Sequence, residues 1–193
     1  MKNKNSLIIL ICTFITVIAG ASILYNLLSN KLSVNQLSVE QTKQPPKPTQ
    51  PPKATDFTVT DVNGTPVSLS DFAGKPVILN FWASWCGPCK SEMPDFNDAY
   101  NEYKDKIVFM MVNLTDGVQE TVESASSYIK DAGYSFDIYF DTETDAAMAY
   151  NVYSVPTTYF INSDGNIVTY AKGAINYQTL KKGIDMIYSD NGQ

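Results

Sequence analysis

Two cysteines, Cys86 and Cys89, bracket Gly87-Pro88, and this pair is the most reactive chemistry the chain carries. Thiols so spaced can close and reopen a disulfide by thiolate exchange. They could instead supply two ligands to a metal, but two more ligands would be needed. The chain has no His, and its one further cysteine, Cys12, lies in an apolar N-terminal run. That composition removes Ser-His and Cys-His nucleophile systems, His-ligated zinc and His-ligated haem. It also excludes a disulfide framework, since a single soluble pair remains. Neither a metal nor a cofactor is called for. The net charge of −6, with lysine as the only strongly basic residue, lacks the footprint of a nucleic-acid-binding protein.

The elements that must position the pair are a strand and a helix. Residues 76–83 (PVILNFWA) form an apolar, β-branched run that predicts a strand buried in a sheet. From Lys90 to Lys104 the spacing of Met93, Phe96, Tyr100 and Tyr103 is helical. The cysteines therefore sit where a strand ends and a helix begins. Unpaired backbone N–H groups and the positive end of the helix dipole stabilise a thiolate there. Pro88 suits a first turn, where its missing N–H costs nothing. Cys86 is read as the exposed attacking thiol and Cys89 as the resolving one.

The rest of the chain places this unit. Residues 6–28 run for 23 positions without a charge after Lys2 and Lys4. At ~1.5 Å per residue they span roughly 34 Å, enough for the ~30 Å hydrocarbon core. The segment reads as an N-terminal membrane anchor with the chain beyond it outside, or as a signal peptide cleaved near Ala19-Gly20-Ala21. Residues 29–53, rich in Pro, Gln and Lys towards their end, read as a flexible tether, and 54–193 as one folded domain. In that domain Asn63-Gly64 predicts a hairpin between short strands. Strands are further expected at 107–113, 136–140, 157–161 and 167–171, and helices at 118–132, 143–150 and 177–188. Val118 and Val122 are placed on the buried face of the first of those helices, and Pro94 is expected to kink the helix that follows the cysteines. The order implies an α/β fold, a mixed sheet flanked by helices.

Phe81-Trp82-Ala83-Ser84-Trp85-Cys86-Gly87-Pro88-Cys89-Lys90, with Ser154-Val155-Pro156-Thr157-Thr158, resembles the thioredoxin superfamily. The N-terminal hairpin, inserted helix and anchor narrow the resemblance to membrane-anchored extracytoplasmic ResA- and TlpA-like thiol–disulfide oxidoreductases. It implies a thioredoxin-like fold, Cys86 as nucleophile, Cys89 as resolving thiol and a redox disulfide between them. It further implies a cis peptide at Pro156, a substrate groove formed by Trp85, Val155 and Pro156, and pairing of the Val155 backbone with a substrate strand. Cytosolic thioredoxins carry a buried Asp where this chain has Asn80, which cannot accept a proton. ResA-like members instead carry a Glu three residues after the second cysteine, here Glu92, which a helix would bring towards Cys89 as proton acceptor.

The implied activity is reduction of disulfides in exported proteins such as apocytochrome c, by a monomer recharged from a membrane donor resembling CcdA or DsbD. Gly-Pro between the cysteines favours the reducing direction. Other uses stay open: a disulfide-forming oxidant, an electron donor to an extracytoplasmic methionine sulfoxide reductase or peroxidase, or a non-catalytic binding domain. A peroxidase of the peroxiredoxin kind is disfavoured, because Ala83 stands where that site needs Thr and the chain has no Arg.

Overall fold

The computed structural model describes Ala21, the Leu37–Ser38 strand and residues 51–189. In chain order the elements are β1 (Leu37–Ser38), β2 (Thr58–Thr60), β3 (Pro66–Ser68), β4 (Val77–Trp82), α1 (Gly87–Tyr103), β5 (Val108–Asn113) and α2 (Val122–Ala132). They continue with β6 (Ile138–Phe140), α3 (Asp145–Ala149), β7 (Thr157–Ile161), β8 (Ile167–Lys172) and α4 (Tyr177–Ile187). The strands form one sheet in the order β1-β8-β7-β4-β5-β6-β2-β3. β4, β5 and β6 run parallel, whereas β7 and β8, and the β2–β3 hairpin, are antiparallel to their neighbours. This mixed sheet flanked by helices is the thioredoxin-like fold. β1, which lies in the stretch read as tether, pairs with the free edge of β8.

The central strand explains the rest. Every residue of β4 is buried, because both faces of the sheet are covered. Alternation sends Ile78 and Trp82 into the core shared with Met93, Phe96, Leu180 and Ile184. Val77, Leu79 and Phe81 enter the opposite core with Val59, Met110, Val112 and Tyr150. Asn80 falls on the face of Ile78 and Trp82, so a polar side chain is aimed at α1. On the same side α4 packs closely: a Cβ at Gly183 would stand 2.2 Å from the Phe160 ring, so only glycine fits.

Two helices start elsewhere than their periodicity suggests. α1 begins three residues before Lys90 because the Cys86 sulfur serves as its N-cap, accepting the Cys89 N–H at 3.1 Å. Pro94 lies inside α1, which runs on to Tyr103. α2 begins at Val122 rather than at residue 118, capped by Thr121 and closed by Gly133 in the left-handed region at φ 71°. Residues 116–120 instead wrap around Asp116, whose Oδ1 accepts the N–H groups of Val118, Gln119 and Glu120. A short carboxylate has outcompeted the helix for those donors. Val118 is consequently 90% exposed, and Val122 is exposed too, which corrects their expected burial.

The carboxyl ends of β4, β5 and β6 and the amino end of antiparallel β7 share one edge of the sheet, with Thr157 opposite Phe81. The loops at 83–86, 114–121 and 151–156 therefore gather at that edge. No helix among the described residues is long and apolar enough to cross a membrane. Residues 6–28, read as an anchor or signal segment, lie outside the described residues except for Ala21.

Candidate redox site

Cys86 and Cys89 are joined in a disulfide, with their Cα atoms 5.3 Å apart. The geometry follows from the local sequence: strand β4 stops at Trp82, a turn bond from Cys86 N–H to Ala83 O reverses the chain, and Gly87-Pro88 opens the helix. Cys86 is only 4% exposed and Cys89 is fully buried. Cys86 is thus less open than its reading as an exposed thiol implied. The disulfide is nearly flush with the surface, and the adjacent Trp85, 51% exposed, projects from it.

The second wall comes from the loop before β7. The Val155–Pro156 peptide is cis, and the Val155 carbonyl oxygen lies 3.7 Å from the Cys86 sulfur. Thr157 Oγ donates to Ser154 O at 2.8 Å and Gly173 N–H to Pro156 O at 2.8 Å, which fixes the loop on both sides. Trp85, Cys86, Val155 and Pro156, distant in sequence, are brought to the one sheet edge.

Beneath them lies Glu92, 1% exposed on the inner face of α1. Its Oε1 accepts from Asn80 Nδ2 at 2.9 Å and its Oε2 from the Ile175 N–H at 3.0 Å. Burial pushes its pKa up to about 8; the bonds from Ile175 and Asn80 oppose that rise, and the nearby Asp95 charge adds to it. The carboxyl is therefore mostly protonated at neutral pH. The same Asn80 Nδ2 also donates to Thr158 Oγ at 2.9 Å, while Asn80 Oδ1 is buried with no partner. Turned end for end, the amide would offer Oδ1 to the Glu92 O–H and to the Thr158 hydroxyl. Asn80 thus has one orientation for an ionised Glu92 and another for a protonated one.

This set of groups can carry thiol–disulfide exchange: a dithiol at a helix start, a half-exposed apolar rim, and a buried carboxyl whose pKa lies close to that of an ordinary thiol at ~8.5. Among the described residues no cluster of three or more His, Cys, Asp or Glu could hold a metal ion.

Residues 52–170 match the AhpC/TSA family. The chain belongs to that family. Within it, the chain is 34% identical over 135 residues to the thiol-disulfide oxidoreductase ResA of Bacillus thuringiensis subsp. konkukian, covering 70% of this chain and 76% of the relative. The crystal structure of StoA from Bacillus subtilis superposes with a TM-score of 0.59 at 28% identity, covering 69% of this chain and 98% of that one. The pneumococcal exposed lipoprotein thioredoxin of Streptococcus pneumoniae gives a TM-score of 0.59 at 29% identity, over 68% of this chain and 98% of that one. This AhpC/TSA protein is accordingly a thiol–disulfide oxidoreductase with a thioredoxin-like fold.

One polar residue of the site carries no sequence signal. Glu120 lies in the stretch whose periodicity reads as helix, and as a lone carboxylate among polar neighbours it looks like solvated surface. It is completely buried and bonded to Ser84, two residues before Cys86.

Proposed function

We propose that Cys86 and Cys89 are the reacting pair and that the protein reduces disulfides of exported proteins outside the cell membrane. In the forward direction the Cys86 thiolate attacks one sulfur of a substrate disulfide. A mixed disulfide forms, and the departing substrate thiolate takes up a proton. Cys89 then gives its proton to ionised Glu92 and attacks the Cys86 sulfur, expelling the second substrate sulfur as a thiolate that takes up a proton, and closing the Cys86–Cys89 bond. Two electrons pass to the substrate, and a membrane dithiol donor of the CcdA or DsbD kind returns them. Glu92, with its pKa raised to about 8, is matched to a thiol, so proton transfer is close to balanced either way. Trp85, Val155 and Pro156 form the surface against which the substrate strand lies.

The observation that carries this reading is the disulfide at the N-cap of α1, with Val155 on one side and the buried Glu92 three residues after Cys89 in the same helix. Apocytochrome c is a fitting substrate class, because a reductase of exported proteins has use for thiols that must stay free for haem attachment. Residues 6–28 serve as anchor, 29–53 as tether and 54–193 as the monomeric catalytic domain. Reduction of insulin by the prereduced protein tests the direction; a reduction potential above about −180 mV would place it among the oxidants instead. Mixed disulfides captured in cells by Cys89→Ser name the substrates.

A further inference from the structure

We propose that Glu120 is a positioning residue for the exchange reaction, holding Ser84-Trp85-Cys86 in attacking register and tying that segment to the loop that carries Val118. This rests on the exchange reaction proposed for Cys86 and Cys89. The chain must pass from the last residue of β4 to the N-cap of α1 through Ala83, Ser84 and Trp85, which belong to neither element. One weak turn bond, Cys86 N–H to Ala83 O at 3.2 Å, spans it from within. The remaining restraint comes from across the sheet edge.

Glu120 Oε1 accepts the Ser84 N–H at 3.0 Å and Asn113 Nδ2 at 2.8 Å, and Oε2 accepts the Ser84 hydroxyl at 2.8 Å. A fully buried carboxylate must find donors, and here they come from the segment after β4 and from the end of β5. Thr115 Oγ donates to Asn113 Oδ1 at 2.7 Å, so the Asn113 amide is oriented at both ends. The Glu120 backbone is fixed as firmly: its N–H goes to Asp116 Oδ1 at 2.9 Å, and its carbonyl accepts the Gly117 N–H at 2.9 Å. A loop held this tightly, with Val118 pointing into solvent, is joined by two bonds to the residue that precedes Trp85.

Glu120 bonds to Ser84 and not to either sulfur, so it acts through the backbone it holds. The step it serves is sensitive to such placement, since a displacement of ~1 Å of a reacting group can cost roughly 10²-fold in rate. The backbone segments that carry the exposed side chains of Trp85 and Val118 are tied together by the same carboxylate. A substrate therefore meets one rigid rim rather than two independent loops.

The test uses the full-length protein carrying Glu120→Ala, Glu120→Gln or Ser84→Ala. Glutamine can keep both bonds of Oε1 and donate its amide to the Ser84 hydroxyl. Thermal unfolding, kcat/KM for insulin reduction and the pH profile of Cys86 alkylation by iodoacetamide are measured for each. Glu120→Ala is expected to lower kcat/KM about tenfold or more and to alter the alkylation profile, Ser84→Ala to lower it about threefold, and Glu120→Gln to stay within about twofold of the parent. If Glu120→Ala does not fold, Ser84→Ala decides, because it removes one bond from a partly exposed side chain. Parental kcat/KM and alkylation in the folded Ala variants would overturn the proposal, as would a glutamine variant as impaired as the alanine one. Absence of Cys86-dependent reduction in the parent would overturn the exchange reaction beneath it. Intact reduction with no effect at Glu120 or Ser84 overturns the positioning role alone.

Discussion

Replacing Glu92 by Gln makes the oxidised protein more stable and the enzyme slower, and the size of the first effect follows from the burial of the carboxyl. Its pKa rises from 4.5 to about 8 on folding. Because the native state holds the proton more tightly than the unfolded chain, the contribution of this carboxyl to stability is full below pH 4.5 and is lost as pH rises through about 8. Each pH unit in that window costs up to ~1.4 kcal/mol, which comes to about 3 kcal/mol by pH 7 and about 5 kcal/mol above pH 8. Glutamine is neutral throughout. It can accept the Ile175 N–H and, once the Asn80 amide is turned end for end, donate to Asn80 Oδ1, so it mimics protonated Glu92. Urea unfolding of the disulfide form from pH 5 to 9 should show the parent falling steadily and Glu92→Gln lacking that fall. Keeping the cysteines oxidised removes their own titration from the curve. The same variant should slow release of the mixed disulfide, since in the proposed exchange Glu92 is the proton acceptor for Cys89. Parallel stability curves for the two proteins would refute the raised pKa, and unchanged turnover would refute the proton transfer.

Four further outcomes are expected. Cys86→Ala should abolish insulin reduction, whereas Cys89→Ser should accumulate protein mixed disulfides that dithiothreitol releases on a non-reducing gel. Gly183→Ala, normally worth up to ~1 kcal/mol of stabilisation in a helix, should instead destabilise by about 1–3 kcal/mol in urea unfolding, because the new methyl meets the Phe160 ring. Thr121→Ala should cost about 1 kcal/mol in the same assay by removing the acceptor for the Ser124 N–H.

Features set by local chemistry were legible in the sequence. The apolar run of β4, the Gly-Pro between the cysteines and the Asn63-Gly64 turn each have few alternative conformations, so fold class and element order followed from them. The start of α2 was not legible: valines at helical spacing say nothing about whether a neighbouring aspartate will take their N–H groups. Depth was equally hidden. That Cys86 is nearly flush and Glu92 wholly enclosed depends on α4 and the loop at Ile175, more than eighty positions away. Glu120 illustrates the general limit, since its partners Ser84 and Asn113 become neighbours only when β4 and β5 pair. A buried carboxylate and a solvated one are the same letter until the sheet has formed.

In the exchange proposed above, the sulfur that caps α1 is also the atom that reacts. Each turnover therefore changes the acceptor at the head of the helix: a disulfide sulfur in one state, a thiolate in the other, and a substrate-linked sulfur between them. An anion holds the Cys89 N–H more strongly than a neutral sulfur does, so the first turn of α1 tightens when the enzyme is charged with electrons and relaxes when they are spent. Hydrogen exchange at that single amide would report the redox state from inside the backbone, with no label on either thiol.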